Sequence, residues 1–241
     1  MYDIINYMDK TSNIHENHRE RVLAHIKDVG FEKLSDINAL EFVLMLIIPR
    51  KDTNPLAHRL ISEFGSFSKV FDADYSQLIH VAGLGERTAT LLKQFPEIFR
   101  RYQIDKQGKS PYIVTIGDMI KFFKPRFEGK QAEEILVVGI NYKGRVVAEK
   151  TIAVGVSTAV SMDPKDIGLF LMNKNISGVI FAHNHPGADA RPSRADADST
   201  KLMMEIARVN NVKFYDHLIF GEDSVYSFNR LDYLEEPDIR D

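Results

Sequence analysis

The chain carries two histidines separated by one residue, within His183-Asn184-His185-Pro186, and then Ser193 and Asp196. On an extended backbone, side chains at i and i+2 point to the same side, so both imidazoles can grip one ion from one direction. Asp196 follows eleven residues after the second ring. A His/His/Asp ligand set leaves a fourth tetrahedral position open for water, which separates catalytic zinc sites from closed structural ones. The chemistry that follows is metal-assisted hydrolysis. Two plainer readings compete with it. A His-x-His pair in a Gly/Pro-rich loop can be a solvated turn, and Ser193 can cap a helix with Asp196 completing the box. The capping reading leaves both histidines unexplained. Residues 176–182 (Ile-Ser-Gly-Val-Ile-Phe-Ala) read as a short buried strand that delivers both rings at its C-terminal end, and this context favours the metal.

The elements that must position this loop divide into a helical N-terminal region and an α/β C-terminal region. Helices are expected over residues 17–28, 36–48, 55–63, 75–80 and 86–101. Asp36 is the expected N-cap of the second, whose apolar face is Leu40, Phe42, Val43, Leu46 and Ile47. The polar run at 103–111 is the expected linker between domains 1–102 and 112–241. Beyond it, 115–123 reads as a helix, and 134–141 and 146–154 as strands joined by a hairpin turn at Lys143-Gly144. Asp163 and Pro164 open a helix running to about residue 173. A helix over 194–209 and strands over 213–220 and 224–228 complete the series. The mixed order β-β-α-β-α-β-β argues for a sheet flanked by helices.

Composition narrows the function classes. The 241 residues include no cysteine, which removes disulfides, thiolate metal sites and cysteine nucleophiles together and fits a reducing compartment. The apolar run at 42–48 is far too short to span a bilayer. The first ten residues lack a basic leader before an apolar core, so a cytoplasmic protein with no membrane partner is expected. Residues 1–110 carry 15 basic and 15 acidic side chains, and residues 111–241 carry 16 and 19. Neither half has the basic excess of a tight nucleic-acid binder.

His183-x-His185-Pro186, Pro192-Ser193 and Asp196 resemble the signature of the JAMM/MPN zinc metallopeptidases, and their flanks resemble the RadC-type bacterial branch. The resemblance extends from about Glu20 to Asn229. The family pattern has a small residue and then Gly after His-x-His-Pro; here Gly187-Ala188 stands instead, and Ala takes positive φ less cheaply than Gly. The resemblance implies the JAMM fold, a curved mixed α/β sheet between helices, with Zn2+ held by His183, His185 and Asp196. It implies a metallopeptidase or isopeptidase acting on a protein or peptide substrate, and the RadC label carries a link to DNA repair by name alone.

Hydrolysis also needs a proton carrier that is not a metal ligand. The resemblance places a glutamate at the start of an early strand, eight positions before a polar turn residue. Counting back from Asn141 gives Glu133. Glu134 is the competitor, and one step along a strand reverses the face, so only one of the two can look at the metal. Glu149 is a third candidate, expected to be exposed. In the resemblance Ser193 donates to the substrate oxyanion, with capping as its other role, each at a different moment. His217 on a late strand could orient a ligand, but a half-buried strand histidine is the plainer reading. His15 and His18 lack a third ligand and read as solvated.

Upstream, Leu78-x-x-Val81-x-Gly83-Leu84-Gly85-x-x-x-Ala89-x-x-Leu92 resembles a helix-hairpin-helix motif. Gly83 and Gly85 allow a tight turn, and backbone N–H groups beside Arg87 could meet a DNA phosphate. Glu86 stands where that phosphate would approach, and Arg87 and Lys93 are the only nearby bases. Two further functions therefore stand beside the hydrolase: a DNA-associated accessory protein working through this hairpin, and a non-catalytic JAMM scaffold.

Overall fold

In the computed structural model, residues 12–155, 162–173 and 175–229 are described. The chain divides into two compact units, one ending at Ile98 and the other beginning at Phe99. The first unit holds α1 (Ser12–Val29), α2 (Asp36–Ile47), α3 (Asn54–Phe64), α4 (Phe67–Asp72), α5 (Tyr75–Ile79) and α6 (Glu86–Leu92). Its core gathers Leu40, Leu44, Leu60, Val70, Leu78 and Leu92.

Several local readings need correction. The N-cap of α2 is Ser35, whose hydroxyl accepts from Asn38 N. Asp36 is the first helical residue, and its carboxylate accepts from Phe67 N at the head of α4, a helix too short to show a periodic stripe. Leu46 is 64% exposed, and Leu44 takes its expected place in the core. The helix expected over 86–101 is two helices, because Lys93 ends α6 and α7 (Gln94–Lys106) starts anew. Lys93 turns to α4 instead, donating to Phe71 O and Ala73 O, both at 2.9 Å. Those carbonyls lie at a helix C-terminus, where a cation is favoured.

α7 runs past the start of the expected 103–111 linker, since the first breaker there is Gly108, with φ 79°. In the second unit, α8 (Ile116–Phe127) passes through Pro125 rather than stopping at residue 123. Proline cannot donate to the carbonyl four residues back. Here Lys121 O takes the Gln107 side-chain amide at 2.7 Å instead.

The sheet has the order β2-β1-β3-β4-β5. β1 (Glu133–Ile140) and β2 (Val146–Gly155) form the expected antiparallel hairpin, β1 also pairs antiparallel with β3 (Gly178–Asn184), and β3 runs parallel to β4 (Lys213–Phe220). β5 (Val225–Ser227) closes the far edge. α9 (Pro164–Leu171) precedes β3, and α10 (Arg194–Val209) is the crossover from β3 to β4. One sheet face packs on α8 through Leu136, Val138, Ile180, Ala182 and Leu218. The other packs on α9 and α10 through Ile135, Val137, Phe181, Ile167 and Met203. With both faces covered, β3 is buried along its whole length, which explains its continuous apolar run. The mixed sheet flanked by helices, after a helical N-terminal part, is the fold class the sequence implies.

Candidate metal centre

The centre lies where β3 ends and α10 begins. His185 is one residue past β3, but its N–H donates to Phe220 O at 2.8 Å, so the ladder to β4 continues through it. The alternation therefore holds, and His183 and His185 share the face that packs on α10. Asp196 comes from the first turn of that helix. His183 Nε2 stands 3.0 Å from His185 Nε2 and 3.1 Å from Asp196 Oδ1, and His185 Nε2 stands 3.5 Å from Asp196 Oδ2. All three donor atoms lie within 4.8 Å of one another.

This arrangement fits a bound cation. Two ring nitrogens facing each other with a carboxylate beside them can share at most one hydrogen between them. A positive charge at their meeting point satisfies all three. Burial works against ionisation of Asp196, yet the His183 and His185 rings beside it, and then the Ser193 hydroxyl, hold its carboxyl well below the usual carboxylate range. Burial also disfavours a charged His185 ring, but Asp196, the Asp189 carbonyl and Glu133 outweigh it and raise the pKa above its ordinary 6.5.

Each ring is held from behind. His185 Nδ1 lies 3.1 Å from Asp189 O. A carbonyl only accepts, so Nδ1 carries the hydrogen and a neutral ring offers a bare Nε2 to the centre. His183 Nδ1 lies 2.8 Å from His217 Nε2, and His217 Nδ1 lies 2.7 Å from Thr200 Oγ1. Thr200 Oγ1 donates to Asp196 O at 2.6 Å. His217 is wholly buried, not half-buried, and burial, then the neighbouring His183, push its pKa well below the ordinary histidine value.

A cleft of about 280 Å³ opens on the centre, and Glu133, His183, His185, Arg191, Ser193 and Asp196 are among its lining residues. The register separates the two glutamates. Ile135 pairs with His183 across β1 and β3, so Glu133 shares the face of the rings and Glu134 the opposite one. Glu134 instead pairs with Lys130 at 2.8 Å. Glu149 is 46% exposed by side chain and bonds to Arg126 at 2.9 Å. Ser193 caps α10, accepting from Asp196 N at 3.2 Å and donating to Asp196 Oδ2 at 2.7 Å. Capping uses an Oγ lone pair, but the one hydroxyl hydrogen goes to Asp196 Oδ2, so donation elsewhere requires the hydroxyl to turn away from that carboxylate. The loop takes its left-handed residue at Gly187 (φ 67°), so Ala188 is spared that conformation.

Two contributors, Thr200 and His217, lie outside the motif that the sequence displays. The available signal was Asp216-His217, two adjacent polar residues inside an otherwise apolar strand segment. Both are buried, one on each face, which a half-solvated strand would not do.

The first unit holds a second group, His18, Glu41 and Asp52, whose donor atoms could also converge on an ion. His18 is thus not simply solvated; its Nε2 lies 2.6 Å from Glu41 Oε1, and Glu41 is 1% exposed. The other Glu41 oxygen accepts from Asn54 Nδ2 at 2.9 Å. His15 lies among residues whose side chains are not described.

In the expected hairpin, Gly83 makes the turn with φ 89° and Gly85 precedes α6 as its N-cap. Leu78, Leu84, Ala89 and Leu92 are buried, and Val81 packs part-buried against the same core. Arg87 is exposed, whereas the other nearby base, Lys93, is committed to α4 carbonyls. Among the described residues, no helix is long and apolar enough to cross a membrane.

The chain is similar to known proteins over most of its length. Residues 113–233 match the profile described as RadC-like JAB domain. UPF0758 protein SPO0054 of Ruegeria pomeroyi is 29% identical over 218 residues, covering 90% of this chain and 97% of the relative. UPF0758 protein FN0909 of Fusobacterium nucleatum is 27% identical over 220 residues, covering 88% and 95%. The profile takes in every residue of the centre and its cleft, and the chain belongs to the RadC-like JAB domain family.

Proposed function

We propose that this protein is a zinc-dependent hydrolase of peptide or isopeptide bonds. The observation that carries the reading is the convergence of His183, His185 and Asp196 on one point, with Glu133 lining the same cleft from the neighbouring strand. A zinc ion held there would supply a water acidified from near 16 to about 7. Glu133, not being among the three ligands, is free of that duty and serves as the group that takes a proton and returns it to the leaving amine. Ser193 turns its hydroxyl hydrogen from Asp196 Oδ2 to the oxygen of the substrate carbonyl as charge builds there. Peptide and isopeptide bonds are the substrates that need both services, since an amine leaves poorly without a proton.

The test joins metal content to turnover. Zinc is measured by elemental analysis in the full chain and in the His183→Ala and Asp196→Ala variants, and hydrolysis is followed with a library of peptides and lysine-linked isopeptides. The expected result is about one zinc at this site in the wild type, lost in both variants, and a Glu133→Gln variant that keeps zinc without cleaving. Equal zinc in all proteins would end the metal assignment. Full cleavage by Glu133→Gln would end the assignment of the proton carrier.

A further inference from the structure

We infer that Thr200 and His217 are positioning residues that fix His183 in the tautomer presenting a bare Nε2 to the centre. The inference rests on the metal reading for its purpose, but its geometry stands without it. The direction of the chain of hydrogen bonds is set at one end. Asp196 O is a carbonyl and can only accept, so the single hydrogen of Thr200 is spent on it at 2.6 Å. Thr200 Oγ1 must then accept from His217 Nδ1, 2.7 Å away.

A neutral imidazole has one hydrogen, and a ring wholly out of water is held neutral by the cost of burying charge. With that hydrogen on Nδ1, His217 Nε2 is an acceptor. His183 Nδ1, 2.8 Å away, must be the donor. The Nε2 of His183 is then left bare, facing His185 Nε2 at 3.0 Å and Asp196 Oδ1 at 3.1 Å. Reversing the chain would leave Thr200 Oγ1 and Asp196 O facing each other without a hydrogen between them.

As neutral rings the two histidines reach the same state by different routes. His185 is set directly, by the Asp189 carbonyl. His183 is set at three removes, by the main chain of Asp196. One residue therefore contributes its carboxylate to the centre and its carbonyl to the orientation of a neighbouring ligand. The four-residue spacing of Asp196 and Thr200 on α10 makes this possible, because a threonine hydroxyl in a helix reaches the carbonyl one turn back.

The test uses Thr200→Val, which keeps the shape and removes the hydroxyl, with Thr200→Ser as the conservative rescue. Nitrogen-15 imidazole spectra of the metal-free full chain report which ring nitrogen of His183 bears hydrogen. Zinc affinity is read by competition with a chelator, and thermal melting is recorded for each protein. The expected result is Nδ1–H in the wild type and in Thr200→Ser. In Thr200→Val a mixture of tautomers is expected, with zinc affinity lowered about 10–100-fold. A second variant, His217→Gln, places an amide oxygen near the Nε2 position and should retain Nδ1–H at His183, whereas His217→Leu should not. A Thr200→Val protein that melts lower yet keeps the His183 tautomer and its zinc affinity overturns the inference. Wild type that binds no zinc overturns the proposed function instead, while the metal-free spectra still decide the tautomer.

Discussion

Asn184 holds the main chain on both sides of Glu133. Its Oδ1 accepts from Glu134 N at 2.8 Å, and its Nδ2 donates to Ala132 O at 3.0 Å. Asn184 stands between His183 and His185 and points to the opposite sheet face, so the strand that carries the rings also fixes the strand that carries the glutamate. In Asn184→Ala two main-chain groups lose their partner, at about 1–3 kcal/mol for a buried unpaired group. Turnover should fall more than stability requires, because Glu133 loses its fixed entry into the cleft, and zinc content should not change. Parallel measurement of urea midpoint, zinc and rate checks this. A variant that is less stable but cleaves at the wild-type rate would make Asn184 a joint between strands and nothing more.

Ser193 sits where two roles can be separated by choice of substitution. Loss of an N-cap hydroxyl to alanine costs about 1 kcal/mol, whereas glycine costs only a few tenths. Loss of an oxyanion donor costs about 2.7–4 kcal/mol in the transition state, whichever residue replaces it. Ser193→Ala and Ser193→Gly should therefore differ in melting temperature but share a rate loss of about 100–1,000-fold, with zinc retained. If rate instead tracks stability across the two variants, Ser193 is a cap alone.

The legible part of the site was the part that is local in sequence. His183, His185 and Asp196 announce themselves because one strand end and one helix start bring them together over fourteen residues. Glu133 is favoured over Glu134 by the count back from Asn141 that the resemblance supplies, while strand alternation requires that only one of the two share the face of the rings. Asn184 and His217 could not be assigned, since their partners Ala132 and Thr200 are distant in the chain and only the folded sheet brings them near. The fold shows the same division. α10 was expected with its observed limits because a cap, an apolar stripe and a polar end all agree there. The path through Pro125 depends on Gln107, and the break at Lys93 on the carbonyls of α4, both outside any local window.

The charge state of the centre gives opposite pH trends with and without metal. In the metal-free protein His185 has a pKa raised above 6.5, so its contribution to stability is full below that value and is lost as pH rises through the raised one. Asp196 is depressed below 3.8, so its contribution is present above that value and fails only as pH falls through the much lower folded one. Both contribute together between these two reference values. Zinc requires neutral rings and displaces protons, so its binding strengthens as pH rises. The zinc-induced rise in melting temperature should therefore be larger at about pH 8 than at about pH 5.5. Paired melting curves with and without zinc at the two pH values measure it, and an increment that shrinks with rising pH would contradict neutral-histidine ligation.

Gly221 is required by contact. A Cβ built there would lie 2.4 Å from Ala190 N, 2.6 Å from Asp189 C and 2.8 Å from Ala188 O, all main-chain atoms with no flexible end to move aside. The turn that follows β4 is meanwhile tied to the same loop, with Glu222 N donating to Ala188 O at 2.8 Å and Ala190 N to Ser224 Oγ at 3.0 Å. Because Asp189 O orients His185, displacing this loop should disturb a ligand that Gly221 never touches. Gly221→Ala should cost about 1–3 kcal/mol, the usual range for overpacking, and should weaken zinc binding. Ser224→Ala, which loses one hydrogen bond to the loop without a clash, should weaken it less. The order of the two variants in a chelator competition is the measurement, and wild-type zinc affinity in Gly221→Ala would show that the loop can shift without carrying His185 with it.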